Sequence, residues 1–548
     1  VADDLRRDAS PVIADAVVVG AGPNGLVAAN ILASAGWQAV VLEAAAEPGG
    51  AVRTGELTLP GYRHDLFSAF YPLAAASPVF RDLGLEDFGL RWRRAPYTLA
   101  HPLPDGRCAV IAPDREITER SLESFATGDG AGWQDLMAGW DTYGQHFVDT
   151  LLSPFPPFRE GLRLAGRLKV RGMLDLARMS VIPARRLAEE HFTGEGGALL
   201  VAGNALHSDL SPETAGSGLF GWLLCALAQH VGFPVPEGGA GSLTTSLTRR
   251  LESLGGRVVC GKRVEQIVVR NGRAVGVRTA DGEEVRAHRA VLADVGVPQL
   301  YRDLLRHIDL PDRLRGDLER FQWDAGTVKV DWALSAPVPW TAPAARQAGT
   351  VHIADSLNDL TRWAADLATH TVPTRPFLLF GQQSMTDPTR QPTGSETAWA
   401  YTHVPRRIDR DANGEISGRW DADDEAAMVS RIEARIEELA PGFGRSILAR
   451  HVFTPRTLEN ADANLDGGAI NGGTAQLHQQ LIFRPGPGNG RPTTFLPGLF
   501  LASAGAHPGG GVHGACGANA AHAALSAERF RRTWAQLAPT RRRPEPTA

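Results

Sequence analysis

The sequence has 548 residues, of which 43% are hydrophobic and 21% charged, with a formal net charge of −5 at pH 7. That length allows two cores, or one large α/β body carrying a second domain. The acidic balance gives no reason to expect nucleic acid as a partner. Four cysteines (Cys108, Cys225, Cys260 and Cys516) fall in no disulfide or metal-ligand spacing, so a reducing, cytoplasmic location is expected.

The first element is "ADAVVVGAGPNGLVAANILASAGWQAVVLEA", residues 14–44. An apolar strand over Ala16–Val19 meets Gly20-Ala21-Gly22-Pro23-Asn24-Gly25, and a helix runs on to about Ala35. Gly36 ends that helix, and a second strand over Ala39–Leu42 leads to Glu43. This is the dinucleotide fingerprint in its full strand–turn–helix–strand setting. Gly20 permits the tight turn, Gly22 lets the backbone approach a pyrophosphate, and Gly25 allows close helix–strand packing. The helix N-terminus offers free N–H groups and a positive dipole end to the phosphates. Glu43 stands where a carboxylate accepts ribose hydroxyls, and it disfavours a 2′-phosphate. The apolar run before Gly20 is too short to be a signal peptide or a membrane span.

The continuation "EAAAEPGGAVRTGEL" carries Gly49-Gly50 and Arg53. It looks like the second fingerprint of FAD-binding oxidoreductases of the glutathione-reductase-like superfamily. In that superfamily the glycines pass close to the cofactor and the arginine lies beside the pyrophosphate or flavin. The far end of the chain, "GLFLASAGAHPGGGVHGACGANAAHAAL", supplies a strand over Leu499–Ala502, a glycine turn and a helix of small residues. Such a returning βα unit would close a discontinuous FAD domain.

With these segments, "GYRHDLFSAFYPL" and residues 238–294, the chain resembles the phytoene desaturase (carotenoid desaturase-like) family. The resemblance implies a Rossmann-like α/β FAD domain built from 12–77, 233–297 and 491–530, with a β-meander whose turns are Asn271-Gly272 and Asp281-Gly282. It also implies an α+β substrate domain over 78–232 and 298–490. FAD would be held by Gly20, Gly22, Pro23, Asn24, Gly25, Glu43, Gly49, Gly50, Arg53 and Val264, and from the second turn by Gly505, Pro508, Gly510, Gly511 and Val512. The implied activity is desaturation of an apolar, polyene-like or lipid-like molecule by hydride transfer to flavin N5. Oxygen or a quinone would be the electron acceptor, since no second strand–G-x-G-x-x-G–helix unit for a nicotinamide appears. His513, His507, His64 and Asp65 are the candidates for proton transfer. Two other readings stay open: oxidation of an amine or another natural-product intermediate, and a non-catalytic carrier resembling the Rab GDP-dissociation inhibitors.

Residues 151–192 interleave leucines and methionines with arginines. They read either as a core-facing helix pair with its arginines in water, the commoner outcome, or as a basic amphipathic segment resting on a membrane. Phe70 and Tyr71 either line the substrate cavity or pack the domain interface. Cys516 is expected as a packed thiol. "DANLDGG" from Asp462 and "DRDANGE" from Asp409 open like calcium loops but carry Gly473 and Trp420 at the twelfth position, so they read as polar loops and no metal is expected. The tail after 538, rich in proline and charge, is expected to be disordered.

Overall fold

The computed structural model describes residues 13–537; the segment read as a disordered tail lies outside them. Chain order begins with β1 (Ile13–Val19), α1 (Pro23–Ser34) and β2 (Ala39–Leu42). β3 (Tyr97–Pro102) and β4 (Cys108–Ile111) then start a second sheet. Four helices follow: α2 (Asp129–Leu152), α3 (Phe158–Met179), α4 (Glu195–Leu206) and α5 (Ser217–His230). The chain returns through α6 (Gly241–Ser253) to β5 (Arg257–Val259), β6 (Val264–Arg270), β7 (Arg273–Thr279) and β8 (Glu284–Ala293). Next come β9 (Gly326–Leu334), β10 (Ala348–Ile353), β11 (Leu378–Gln382), β12 (Glu396–Val404), α7 (Ala422–Leu439) and β13 (Ile447–Phe453). β14 (Leu499–Leu501) and α8 (Ala515–Leu537) close the described chain, with short turns and helices between these elements.

The first sheet has seven strands in the order β6-β7-β8-β1-β2-β5, with β14 added against β8. β1 pairs in parallel with both β8 and β2, and its run of buried valines fits a strand covered on both faces. β8 is shared lengthwise. Glu284–Arg286 pairs with β7, and Val291–Ala293 pairs in parallel with β14. The meander turn at Asn271-Gly272 has φ of 51° and 69°, the left-handed pair that a two-residue hairpin requires. Helix α8 lies along α1, and a side chain at Gly517 would collide with the Asn24 carbonyl, which explains the small residues at its start.

The second sheet also has seven strands, in the order β13-β9-β12-β11-β10-β3-β4. α7 covers one face, with Met428, Ile432 and Ile436 packed into the same core as Trp332, Trp340 and Phe380. α2, α4 and α5 form a helical block whose core includes Trp133, Leu200, Trp222 and Leu227. The apolar run in α5 is therefore interior packing, and among the described residues no helix is long and apolar enough to cross a membrane.

Residues 151–192 form the helix pair expected of them, packed on the helical core by one face only. They hold one helix, α3, kinked at Lys169 where φ is 55°, and then a shorter helix from Ala184. Within α3 only Leu164 and Leu176 are fully buried, while Phe158, Leu162, Val170 and Leu174 stand in solvent. Its inner face packs as an amphipathic helix should; its outer face is apolar as well.

Candidate active site

The site begins at the end of β1. Gly20 has φ of 94°, a conformation that L side chains rarely adopt, and it turns the chain so that α1 starts at Pro23 with Gly22 as its N-cap. There is no room for side chains here. A Cβ at Gly22 would lie 2.7 Å from Asp294 Oδ2, and one at Gly25 would collide with the Gly20 carbonyl. Glu43, beyond β2, accepts the Ala21 N–H at 2.7 Å and the Ala45 N–H at 2.8 Å, which fixes its carboxylate beside the turn.

Two connected cavities open from this point. The first, about 710 Å³, is lined by Gly20, Gly22, Glu43, Gly50, Arg53 and Val264. The second, about 320 Å³, is lined by Gly22, Pro23, Asn24 and Gly50 on one side and by Gly505, Gly511 and Val512 of the second glycine turn on another. Both are bounded by Gly22, Gly50, Asp294, Asp462 and Asn464, so they form one trough. Gly25, Gly49, Pro508 and Gly510 are not among its lining. Gly25, Gly49 and Gly510 are set behind the trough, where a Cβ would strike the backbone of Gly20, Val52 and Asn471 respectively. Arg53 donates to the Gly50 and Ala461 carbonyls, and its guanidinium lies over the Phe67 ring.

The trough fits FAD. Its floor is backbone and glycine, as close approach of a pyrophosphate demands. Asn24 Oδ1 is buried at the start of α1 and has no hydrogen-bond partner among the described residues. An acceptor left without a donor in a buried position costs about 1–3 kcal/mol, which marks a place where a ligand belongs.

Asp294, at the end of β8, escaped the reading of the sequence. Its Oδ2 accepts the Gly25 N–H at 2.7 Å. Burial pushes its carboxyl up to about 7, with Asp462 and Glu43 adding to the rise against the hydrogen bond from Gly25. Asp462 and Asn464 also reach the trough, so the segment read as an idle polar loop is part of the site. Lys329 is the third addition. It stands in a strand buried along its whole length, with Nζ 2.5 Å from Asp331 Oδ2 and 3.0 Å from the Asp65 carbonyl, and it lines the second cavity. Burial works to raise the Asp331 carboxyl, but Lys329 and His64 hold it below the ordinary range.

None of the four proton-transfer candidates lines the trough. His64 is buried against Thr58 Oγ1 at 2.8 Å and 3.5 Å from Asp331. Asp65 accepts from Thr54 Oγ1 and the Ala240 N–H and pairs with Arg390 at 3.1 Å. His513 Nδ1 accepts the Ala515 N–H at the start of α8, and His507 Nε2 lies 3.1 Å from the Ser153 carbonyl. Burial lowers both of the latter rings to about 4, so each is neutral at physiological pH. Phe70 lines the cavity, whereas its neighbour Tyr71 packs on Trp92. Cys516 is a packed thiol, pushed up to about 12 by burial.

The remaining wall of the second cavity comes from the second sheet and the helical block. Trp399 and Tyr401 alternate along β12 and so share a face, their rings 5.9 Å apart and within 11° of parallel. Phe67, Phe70, Phe233 and Leu379 complete the apolar surface, and His207 and Thr350 add polar edges. Burial lowers His207 to about 3, which keeps it neutral.

Residues 24–330, more than half of the chain, match the family described as flavin containing amine oxidoreductase. The chain belongs to that family. It is 29% identical to the mouse pyridine nucleotide-disulfide oxidoreductase domain-containing protein 2, over 93% of this chain and 92% of that one. It is 27% identical to the lycopene-forming phytoene desaturase of Pseudescherichia vulneris, over 93% and 99%. Wild-type putrescine oxidase bound to putrescine shares the fold, with a TM-score of 0.58 and 16% identity over 94% of this chain and 99% of that one. The protein is therefore an FAD-dependent oxidoreductase, similar to phytoene desaturases over most of its length. FAD, when bound, supplies a two-electron oxidant; the chain's own residues must hold the cofactor, orient a substrate C–H bond beside it and exclude water.

Proposed function

We propose that this oxidoreductase dehydrogenates an apolar organic molecule, polyene-like or lipid-like, with oxygen or a quinone as the final electron acceptor. The observation that carries this reading is the wall made by Phe67, Phe70, Phe233, Leu379, Trp399 and Tyr401. A surface of this kind offers a substrate area and shape but few hydrogen bonds, which suits a molecule without polar handles. Similarity to a phytoene desaturase along nearly the whole chain supports the same class.

The amine reading requires a carboxylate or an aromatic cage for an ammonium. The carboxylates lining the second cavity, Asp294 and Asp462, both belong to the loops around the cofactor trough, and the charged group on the substrate side is the Lys329 ammonium. Trp399 and Tyr401 stack on each other at 5.9 Å, which leaves no room for a cation between the rings. The test is anaerobic mixing of the FAD-loaded protein with a panel of apolar polyenes and terpenoids and a panel of primary amines. Bleaching of the visible flavin band by members of the apolar panel alone is the expected result. Bleaching by amines, with the apolar panel inert, would transfer the protein to the amine oxidases.

A further inference from the structure

Arg484 is fully buried, yet its hydrogen bonds all end on main-chain carbonyls. Nε and Nη2 donate to the Ala504 carbonyl at 3.0 and 2.8 Å. Nη2 also reaches the carbonyls of Asn471 and Gly472, both at 3.1 Å, and Nη1 reaches that of Thr474 at 3.0 Å. Burial lowers the guanidinium from its ordinary range, but arginine stays protonated at physiological pH. Asp324 acts on it from beyond pairing distance, and burial together with Asp209 raises that carboxyl from its own ordinary range. A buried cation held by carbonyl dipoles alone is costly to keep, and charges kept at such a cost gather at functional sites.

This clamp joins two segments that line the second cavity, Asn471 and Gly472 in one, Ala504 and Gly505 in the other. The two segments touch. Gly472 has φ of 66°, and a side chain there would lie 3.0 Å from Ala504 Cβ. Gly511 and Val512 of the second glycine turn line the same cavity, and a Cβ at Gly509 would stand 3.2 Å from Arg484 Nε. The cation therefore lies directly behind that turn.

Buried main-chain groups need partners, and those of 471–474 are nearly all accounted for. Asp324 accepts the N–H groups of Asn471 and Gly473 at 2.8 and 3.1 Å, and the Thr474 N–H donates to the Gln322 carbonyl at 3.0 Å. The Asn471 side chain is also fixed, since its Nδ2 donates to Asp209 at 3.0 Å. Asp209 is itself paired with His403 at 2.6 Å. The Gly472 N–H is left without a partner among the described residues. It shares a trans peptide with the Asn471 carbonyl that Arg484 holds, so it points away from the arginine. Gly472 lines the cavity. One peptide is thus turned with its positive end towards the trough, and a full positive charge stands behind it.

We infer that Arg484 is a positioning residue for the redox step: by holding the Asn471–Gly472 peptide it presents the Gly472 N–H to the flavin ring and stabilises the negative charge that the ring gains on accepting a hydride. The inference rests on the reading of the trough as the FAD site and is independent of the substrate. The experiment measures, on the full-length FAD-loaded protein, the midpoint potential of the bound flavin against reference dyes and its affinity for sulfite, an anion whose addition to the oxidised ring gains from the same stabilisation. Arg484→Gln is expected to bind sulfite at least about tenfold more weakly and to fall in potential by about 30 mV, the equivalent of tenfold for a two-electron couple. Arg484→Lys, which keeps the charge, is expected to stay within about threefold of the parent. An unchanged potential and sulfite affinity in R484Q would overturn the inference. So would equal losses in the two variants, since an arginine that only braces the loops would produce them. If R484Q yields no flavoprotein, the parent decides: uptake of one proton per electron pair at pH 6, read as a fall of about 30 mV per pH unit, is expected, and uptake of two would overturn the inference. A parent protein that binds no FAD would overturn the reading of the trough, and the inference with it, before any potential is measured.

Discussion

The two sides of the catalytic trough are made of different material. The side we assign to the cofactor consists of backbone: Gly20, Gly22, Gly50, Gly505 and Gly511 bring peptide groups to the surface, and side chains there are excluded. The side we propose for the substrate consists of side chains, with Trp399, Tyr401, Phe70 and Leu379 projecting from the second sheet and its neighbours. Backbone surfaces fail when anything is added to them; side-chain surfaces change character when something is removed. Substitutions can therefore separate binding of FAD from selection of substrate.

The largest effect is expected at Gly25→Ala. The added methyl would meet the Gly20 carbonyl, inside the turn itself, where nothing flexible can yield. FAD affinity should fall by at least about a hundredfold, or roughly 3 kcal/mol, read as flavin content after purification and titration of the apoprotein. Asp294 gives the next test. Asp294→Ala leaves the Gly25 N–H buried without its acceptor, a loss of about 1–3 kcal/mol, and should weaken FAD binding about tenfold or more. Asp294→Asn keeps a carbonyl oxygen for that N–H and should remain within about threefold of the parent. Equal losses in the two variants would contradict the role assigned to the hydrogen bond.

On the other side, Trp399→Ala should leave flavin content and spectrum unchanged while kcat/KM for the apolar substrate falls by about tenfold, roughly 1.4 kcal/mol. A parallel loss of flavin would show that the two sides are not separable. The smallest effect concerns Glu396, at the start of β12, whose carboxyl is pushed up to about 7 by burial against hydrogen bonds from Ser384. A carboxyl with a raised folded-state pKa binds more protons folded than unfolded between about 4.5 and 7, so it lowers stability as pH rises through that window. Glu396→Gln removes this penalty. The gap in melting temperature between variant and parent should widen from pH 5 to pH 8, with an upper bound of about 3 kcal/mol at the higher pH.

The backbone side was legible because its determinants are adjacent in the chain. The order β1–turn–α1–β2–Glu43 is a local pattern in which each glycine has one steric reason, and the structure places the turn, the helix and the second strand within a residue of where that pattern puts them, with the first strand starting three residues earlier, at Ile13. Asp294 was not legible, because the N–H it accepts is 269 residues away and nothing near it in sequence marks the meeting. Lys329 and Asp331 did leave a signal. Two opposite charges two residues apart in an apolar strand must share a face, and in a strand buried along its whole length that face is a salt bridge inside the protein. Trp399 and Tyr401 leave less, since every residue of β12 except Tyr401 is buried and the usual alternation of polar and apolar positions is missing. For α3 the sequence left two readings, because apolar periodicity shows that a helix has an apolar face but not whether the protein covers it.

The shared strand β8 has a consequence for how the protein is made. Its first half is paired as soon as β7 exists, but Val291–Ala293 must wait for Leu499–Leu501. A chain emerging from the ribosome therefore carries an open sheet edge through the synthesis of some two hundred further residues. The final turn, with Gly511 and Val512, arrives later still. The wall that Gly505, Gly511 and Val512 contribute to the trough therefore exists only once nearly the whole chain has been made.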